Sequence, residues 1–224
     1  AGTYYPDRGM GVTGDDRTAS FTVTGTQDGL AIYGGFAGTE AALSDRDLGA
    51  SPTILSGDID QDGTPGGNSY HVLVFDGGTG LGPIVAANVT PATVLDGVTV
   101  TGGQADGSVD GPASNRRGGG VYCDGSGSGN TCSPQITGAI FTGNAATDIG
   151  GAIYNHGENG GTSSPQITNA TFTGNAAGEG GGAIYNGGSS GTSSPQIASA
   201  TFAGNTAGTG TAGNQGGAVY NDGR

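Results

Sequence analysis

Residues 163–186 read SSPQITNATFTGNAAGEGGGAIYN, and three signatures follow one another within them: Ser164-Pro165-Gln166-Ile167, Phe172-x-Gly174-Asn175 and Gly181-Gly182-Ala183-Ile184-Tyr185-Asn186. The first recurs at 133–136 and 194–197, spaced 31 and 30 residues from the central copy. The second recurs at 141–144 and 202–205. The third recurs at 150–155 and, with Val219 for Ile, at 216–221. Three motifs in fixed order within about thirty residues make one structural unit, and such periods indicate a solenoid. Each apolar run is short and bounded by Gly, Pro, Asn or Asp, which is the pattern of strands and turns. No segment keeps the i, i+3, i+4 spacing of an amphipathic helix.

Working outward, worn copies precede the clear ones. Gly118-Gly119-Gly120-Val121-Tyr122-Cys123 repeats the third signature, Ala31-Ile32-Tyr33 echoes it, and residues 95–103 align with 136–144. Residues 53–57 and 70–75 supply further strands. The expectation is an all-β, right-handed parallel β-helix, one domain over residues 1–224, with irregular coils in 1–104 and regular ones in 105–224. About six or seven coils of roughly thirty residues, three short strands each, fit the length.

Stacking then assigns the columns. Phe141, Phe172 and Phe202 form a buried aromatic column, and Ile136, Ile167 and Ile197 an aliphatic one. Asn144, Asn175 and Asn205 stand at turns, where Asn tolerates left-handed backbone and amides bond from coil to coil. Tyr122, Tyr154, Tyr185 and Tyr220 stack as well; with Ile153 inward, alternation points Tyr154 outward.

Composition narrows the function. The net charge is −13, from 19 acidic and six basic residues; the basic ones are Arg8, Arg17, Arg46, Arg116, Arg117 and Arg224, and there is no Lys. So acidic a surface repels nucleic acid and anionic lipid and favours cations. No stretch has the length of a transmembrane helix, and no signal peptide precedes Ala1. Cys123 and Cys132 flank a short polar hairpin and lack a neighbouring His, so a disulfide is expected over a metal pair. In the aligned repeats they replace Asn155 and Ser163, so the bridge ties off one copy of a recurring loop.

The pairing of Gly150-Gly151-Ala152-Ile153 and Gly181-Gly182-Ala183-Ile184 with Phe141, Asn144, Phe172, Asn175, Phe202 and Asn205 resembles the polymorphic outer membrane protein repeat, defined by GGAI and FxxN tetrapeptides. Residues 118–224 carry the resemblance. Residues 31–36 and 54–60 are similar to large bacterial surface proteins with parallel β-helix repeats. The resemblance implies extracellular display and often adhesion; a carbohydrate or a host or cell surface is the expected partner. It brings no catalytic residues.

Candidate chemistry is sparse. Asp58-Ile59-Asp60-Gln61-Asp62-Gly63 has the D-x-D-x-D-G opening of a calcium loop, so calcium is the expected cofactor, bound by Asp58, Asp60 and Asp62. Ser69 stands where the closing Glu would be; Asp76 or a backbone carbonyl is the expected substitute. The opposing reading is an Asp-rich turn. A polysaccharide lyase or glycoside hydrolase on the same scaffold is the alternative function, and it needs a convergent acidic pair or an Arg–calcium groove. Asp96, Asp124 and Asp148 look dispersed, and His71 and His156 show no acid partner. An ice-ordering Thr row is suggested by Thr171 and Thr201 but interrupted by Ile140. Finally, neither end shows a cap, so self-association through open β-helix ends, head to tail, is a further expectation.

Overall fold

The computed structural model describes residues 1–9, 11–78, 88–208 and 216–223; Arg224 lies outside them. The chain is a right-handed parallel β-helix, with every strand pairing parallel. Three long sheets run along it. A Phe sheet stacks Gly2–Tyr4, Thr53–Ser56, Val98–Thr101, Ile140–Thr142, Thr171–Thr173 and Thr201–Ala203. An Ile sheet stacks Ala31–Tyr33, Val94–Asp96, Gln135–Thr137, Gln166–Thr168 and Gln196–Ala198. A Tyr sheet stacks Phe21–Thr24, Leu73–Asp76, Val121–Asp124, Ile153–His156, Ile184–Gly188 and Val219–Gly223. Two-residue strands at the corners, such as Ala145–Ala146 and Thr162–Ser163, add two narrow sheets to the three expected.

Coil length exceeds the expected roughly thirty residues in the irregular early coils. From the pairing Gly2↔Thr53, Thr53↔Val98 and Thr99↔Ile140, the early coils advance by 51, 45 and 41 residues. Ile140↔Thr171 and Thr171↔Thr201 then advance by 31 and 30. The early coils share the strand register but loop out between strands, including the Asp-rich segment after Ser56 and the turn Ala113–Arg116.

The expected columns form in register. Phe141, Phe172 and Phe202 stack with ring centroids 4.8 and 4.9 Å apart and planes within 7°, and Ile136, Ile167 and Ile197 follow one another beside them. A continuous core of Val23, Leu73, Phe75, Leu95, Val100, Val121, Ile153 and Ile184 fills the tube. Successive coils sit one strand spacing apart, about 4.8 Å, so each core residue is covered by its own equivalents. The tight corner before the Tyr sheet requires glycine. Gly150 and Gly181 have φ of +66° and +59°, and a Cβ there would strike the carbonyls of Ile153 and Ile184.

The Asn column is a continuous amide chain. Asn144 Nδ2 donates to Asn175 Oδ1 at 3.0 Å, and Asn175 Nδ2 to Asn205 Oδ1 at 2.9 Å. Each side-chain nitrogen also donates to the backbone of the preceding coil, at Val100, Phe141 and Phe172. A second chain was not anticipated: Asn155 donates to Asn186 at 2.7 Å, and Asn186 to Asn221. The repeated Tyr-Asn ending of the third signature is its visible trace.

Candidate functional site

Three places concentrate polar chemistry. The first is the loop between Ser56 and Leu73, held from outside at both ends: Arg8 donates to the Ile59 carbonyl at 2.9 Å and Arg17 to the Asn68 carbonyl at 2.7 Å. Gln61 and Gly63 take left-handed φ of 59° and 74°, which curls the chain so that Asp58, Asp60 and Asp62 bring one oxygen each within 4.8 Å of one another. Burial, a hydrogen bond shared with Asp60, and the Asp60 and Asp62 charges push the Asp58 carboxyl above its ordinary range. Asp58 and Asn68 line a common cavity of about 420 Å³ with Ser56, Thr64, Thr101 and Gln104. Asn68 is 5% exposed and its Nδ2 donates to the Gly102 carbonyl at 2.7 Å. Its Oδ1, Asp58 Oδ1 and Ser69 Oγ are buried without a hydrogen-bond partner among the described residues. Asp76 does not reach this loop. It belongs to the Tyr sheet, so the expectation that it closes a cation site here is corrected.

The second place is the outer face of the Tyr sheet. Parallel register stacks Asp76 on Asp124 and Asp124 on His156. His156 therefore has acid partners that its isolation in sequence concealed: Nδ1 lies 3.1 Å from Asp124 Oδ1 and 2.9 Å from the Tyr122 hydroxyl, and Nε2 lies 3.7 Å from Glu158. Aligning Cys123 with Asn155 already places Asp124 above His156, so the signal was available. Burial pushes Asp124 up, but hydrogen bonds from His156 and Ser126 outweigh it and hold the carboxyl below its usual range. Asp76 is raised by burial and by the Asp124 charge, against a lowering hydrogen bond from Gly78. The bare Cα of Gly78 sits between the two: a Cβ there would lie 3.3 Å from Asp124 Oδ2 and 3.4 Å from Asp76 Oδ1.

The same face corrects the expected exposure of Tyr154, which is 0% exposed. The ring does point away from the main core, yet it lies in a second apolar cluster with Tyr122, Ile149 and Tyr185. Arg117 stands 5.7 Å above it and His156 stacks beside it at 5.3 Å. Arg117, Ile149, His156 and the flanking tyrosines thus cover what alternation would leave bare. Tyr220 packs against the cluster at its edge, 5.1 Å from Tyr185.

The third place is the Cys123–Cys132 disulfide, with Cα atoms 5.7 Å apart. Cys123 pairs with Asn155 and Cys132 with Ser163, the positions read from the aligned repeats. Ser163 Oγ donates to the Cys123 carbonyl at 3.1 Å, and Ser193 Oγ to that of Asn155 at 3.3 Å.

The other candidates serve internal contacts. Asp148 binds Arg116 at 3.1 Å and lies 3.9 Å from Arg117, and Asp96 binds Arg46 at 2.7 Å. Arg17 pairs with Asp106 and stacks on Tyr70. His71 Nδ1 donates to the Gly118 carbonyl at 2.9 Å, and burial pushes the ring's pKa down to about 4.

No helix among the described residues is long and apolar enough to cross a membrane. Neither curated proteins nor solved structures match the chain. One family does match, the Chlamydia polymorphic membrane protein repeat, at residues 138–156 and 169–187, and that family is one of surface-exposed outer membrane proteins. Each match spans a Phe-to-Asn turn and the following Gly-Gly-Ala-Ile-Tyr-Asn corner. Residues 138–156 and 169–187 are therefore similar to repeats of the polymorphic membrane protein type, carried here on a right-handed parallel β-helix.

Proposed function

We propose that this chain is a non-enzymatic, extracellular structural and adhesive segment of a bacterial surface protein. The observation that carries the reading is the coil-to-coil continuity of the buried columns, above all the two amide chains. Side chains with catalytic potential are largely engaged in holding coils together: Arg46, Arg116 and His71 each bind a neighbouring strand or loop. A scaffold of this kind holds surface loops at fixed spacing, with about 4.8 Å between equivalent residues. The test is to incubate the purified chain with a panel of polysaccharides and, separately, with cultured cells and arrayed glycans. Saturable binding without turnover supports the adhesive reading. Turnover that disappears in Asp124→Asn overturns the non-enzymatic one.

A second reading has a specific observation in its favour. Asp76 and Asp124 are neighbouring carboxyls shifted in opposite directions, and Asp124 is oriented on His156, which is the arrangement that separates an acid from a base. A glycoside hydrolase acting across this face is the function it serves, and the same turnover assay decides between the two.

Head-to-tail assembly of copies is a finer form of the scaffold reading. The first coil presents an apolar hollow of about 360 Å³ lined by Tyr4, Phe21, Ile32, Tyr33, Phe36 and Leu55, which a second copy would cover. A solution mass that stays monomeric across a dilution series excludes it.

A further inference from the structure

We propose that the loop between Ser56 and Leu73 binds one calcium ion through Asp58, Asp60 and Asp62, with Asn68 lining a cavity in common with Asp58. The inference stands apart from the scaffold reading and does not depend on it. Three observations carry it. The three carboxylates converge within 4.8 Å of one another; Arg8 and Arg17 reach the loop but donate to its backbone carbonyls. Asn68 is 95% buried, lines the cavity it shares with Asp58, and spends only its nitrogen, on the Gly102 carbonyl. The Oδ1 of Asn68 and that of Asp58 are both buried and without a hydrogen-bond partner among the described residues, and burying such groups without compensation is unfavourable. A cation supplies the missing partner for both and removes the repulsion among the carboxylates.

The donor set selects the ion. Carboxylate and amide oxygens are hard ligands, and His, Cys and Met are absent from residues 56–69. Calcium accepts such oxygens in a flexible shell, whereas magnesium demands a near-ideal octahedron and keeps its waters. The closing bidentate Glu of the twelve-residue loop is replaced here by Ser69, so the affinity falls in the range of extracellular modules, about 0.1–1 mM. The loop joins a Phe-sheet strand to a Tyr-sheet strand, and Asn68 reaches the next coil through Gly102. Bound calcium therefore clamps one of the irregular early coils to its neighbour.

The experiment is calorimetric titration of the chelator-stripped full chain with calcium chloride, with magnesium chloride as control. The paired variant is Asp60→Asn with Asp62→Asn, both on exposed positions, its fold checked by circular dichroism. The expected result is one saturable site, at least tenfold weaker in the variant. A calcium-dependent rise in melting temperature of at least about 3 °C at tenfold excess over Kd is also expected for the parent chain and not for the variant. Absence of saturable heat up to about 10 mM calcium, well above the extracellular range, overturns the proposal. So does equal binding by the variant, or an equal response to magnesium.

Discussion

Followed from coil to coil, one inward position of the Tyr sheet changes chemistry along the axis. It is Val23 and Phe75 in the early coils, Cys123 at the middle, and Asn155, Asn186 and Asn221 thereafter. Across the tube the facing position runs Val89, Cys132, Ser163. The same corner is therefore closed by apolar packing, then by a covalent bond, then by amides and hydroxyls. Ion pairs follow a parallel division: Arg8, Arg17, Arg46, Arg116 and Arg117 bind acids in or beside the long early coils.

The difference has a physical origin. A parallel β-helix places each residue directly over its equivalent, so a repeated charge would meet its own kind at about 4.8 Å. Asp76 over Asp124 is an instance among the described residues, and Asp76 is raised by burial and, to a lesser extent, by the Asp124 charge. An amide carries both a donor and an acceptor, so it stacks on itself without repulsion. Regular coils can repeat Asn but not Asp or Arg; charges belong where successive coils differ.

Four measurements test this contrast. The largest effect is expected in the regular half, where Phe172→Ala empties a fully buried slot between two stacked rings. It should destabilise the chain by about 3–5 kcal/mol in urea unfolding, more than Val100→Ala in the same column of an earlier coil.

The next effect is confined to the early half. His71 is neutral when folded, with a pKa held at about 4 by burial against 6.5 in the ordinary range. The unfolded chain takes up the proton first, so stability is complete above pH 6.5 and declines as the pH falls towards 4. The loss should be on the order of 3 kcal/mol, and His71→Gln should flatten the stability profile within that window.

Removing the bridge at the junction, by Cys123→Ala with Cys132→Ala, should cost about 2–3 kcal/mol, measured by the same unfolding titration. The smallest effect is the most diagnostic. Cys123→Asn with Cys132→Ser extends the regular chemistry one coil earlier. Asn155 Oδ1 is buried and unpartnered because a cysteine stands above it, and a new amide there would donate to it. This double variant should recover about 1 kcal/mol relative to the double alanine. No recovery would mean that the disulfide is not interchangeable with the Asn–Ser pair.

Much of the regular half was legible in the sequence, because exact repetition reports the stacking register directly: the Phe, Ile and Asn columns and the Cys123–Cys132 equivalence follow from alignment alone. The early coils were harder to read, since insertions that lengthen them to 41–51 residues disguise the shared register. Alternation gives only the direction of the Tyr154 ring, whereas its burial depends on Arg117, Ile149 and the flanking tyrosines that cover it. His156 was read as unpartnered because its acids are a coil away or two residues on, and a stack joins residues 32 apart as closely as neighbours. The Asp58 loop was visible as a motif, but the buried oxygen of Asn68 was not, being a property of packing.

The amide chains also have a sense of direction. In both, each nitrogen points to the oxygen of the following coil, from Asn144 to Asn205 and from Asn155 to Asn221. Aligned dipoles of this kind reinforce one another. The two faces of each regular coil are therefore chemically unlike: one offers acceptors and the other donors. Whatever coil is laid on the Asn205 and Asn221 side must bring an oxygen to each site, and one turned the other way would set donor against donor. The regular half of the solenoid thus carries an arrow, legible at each coil from Asn144 onward, that fixes which face of a coil the next one can meet.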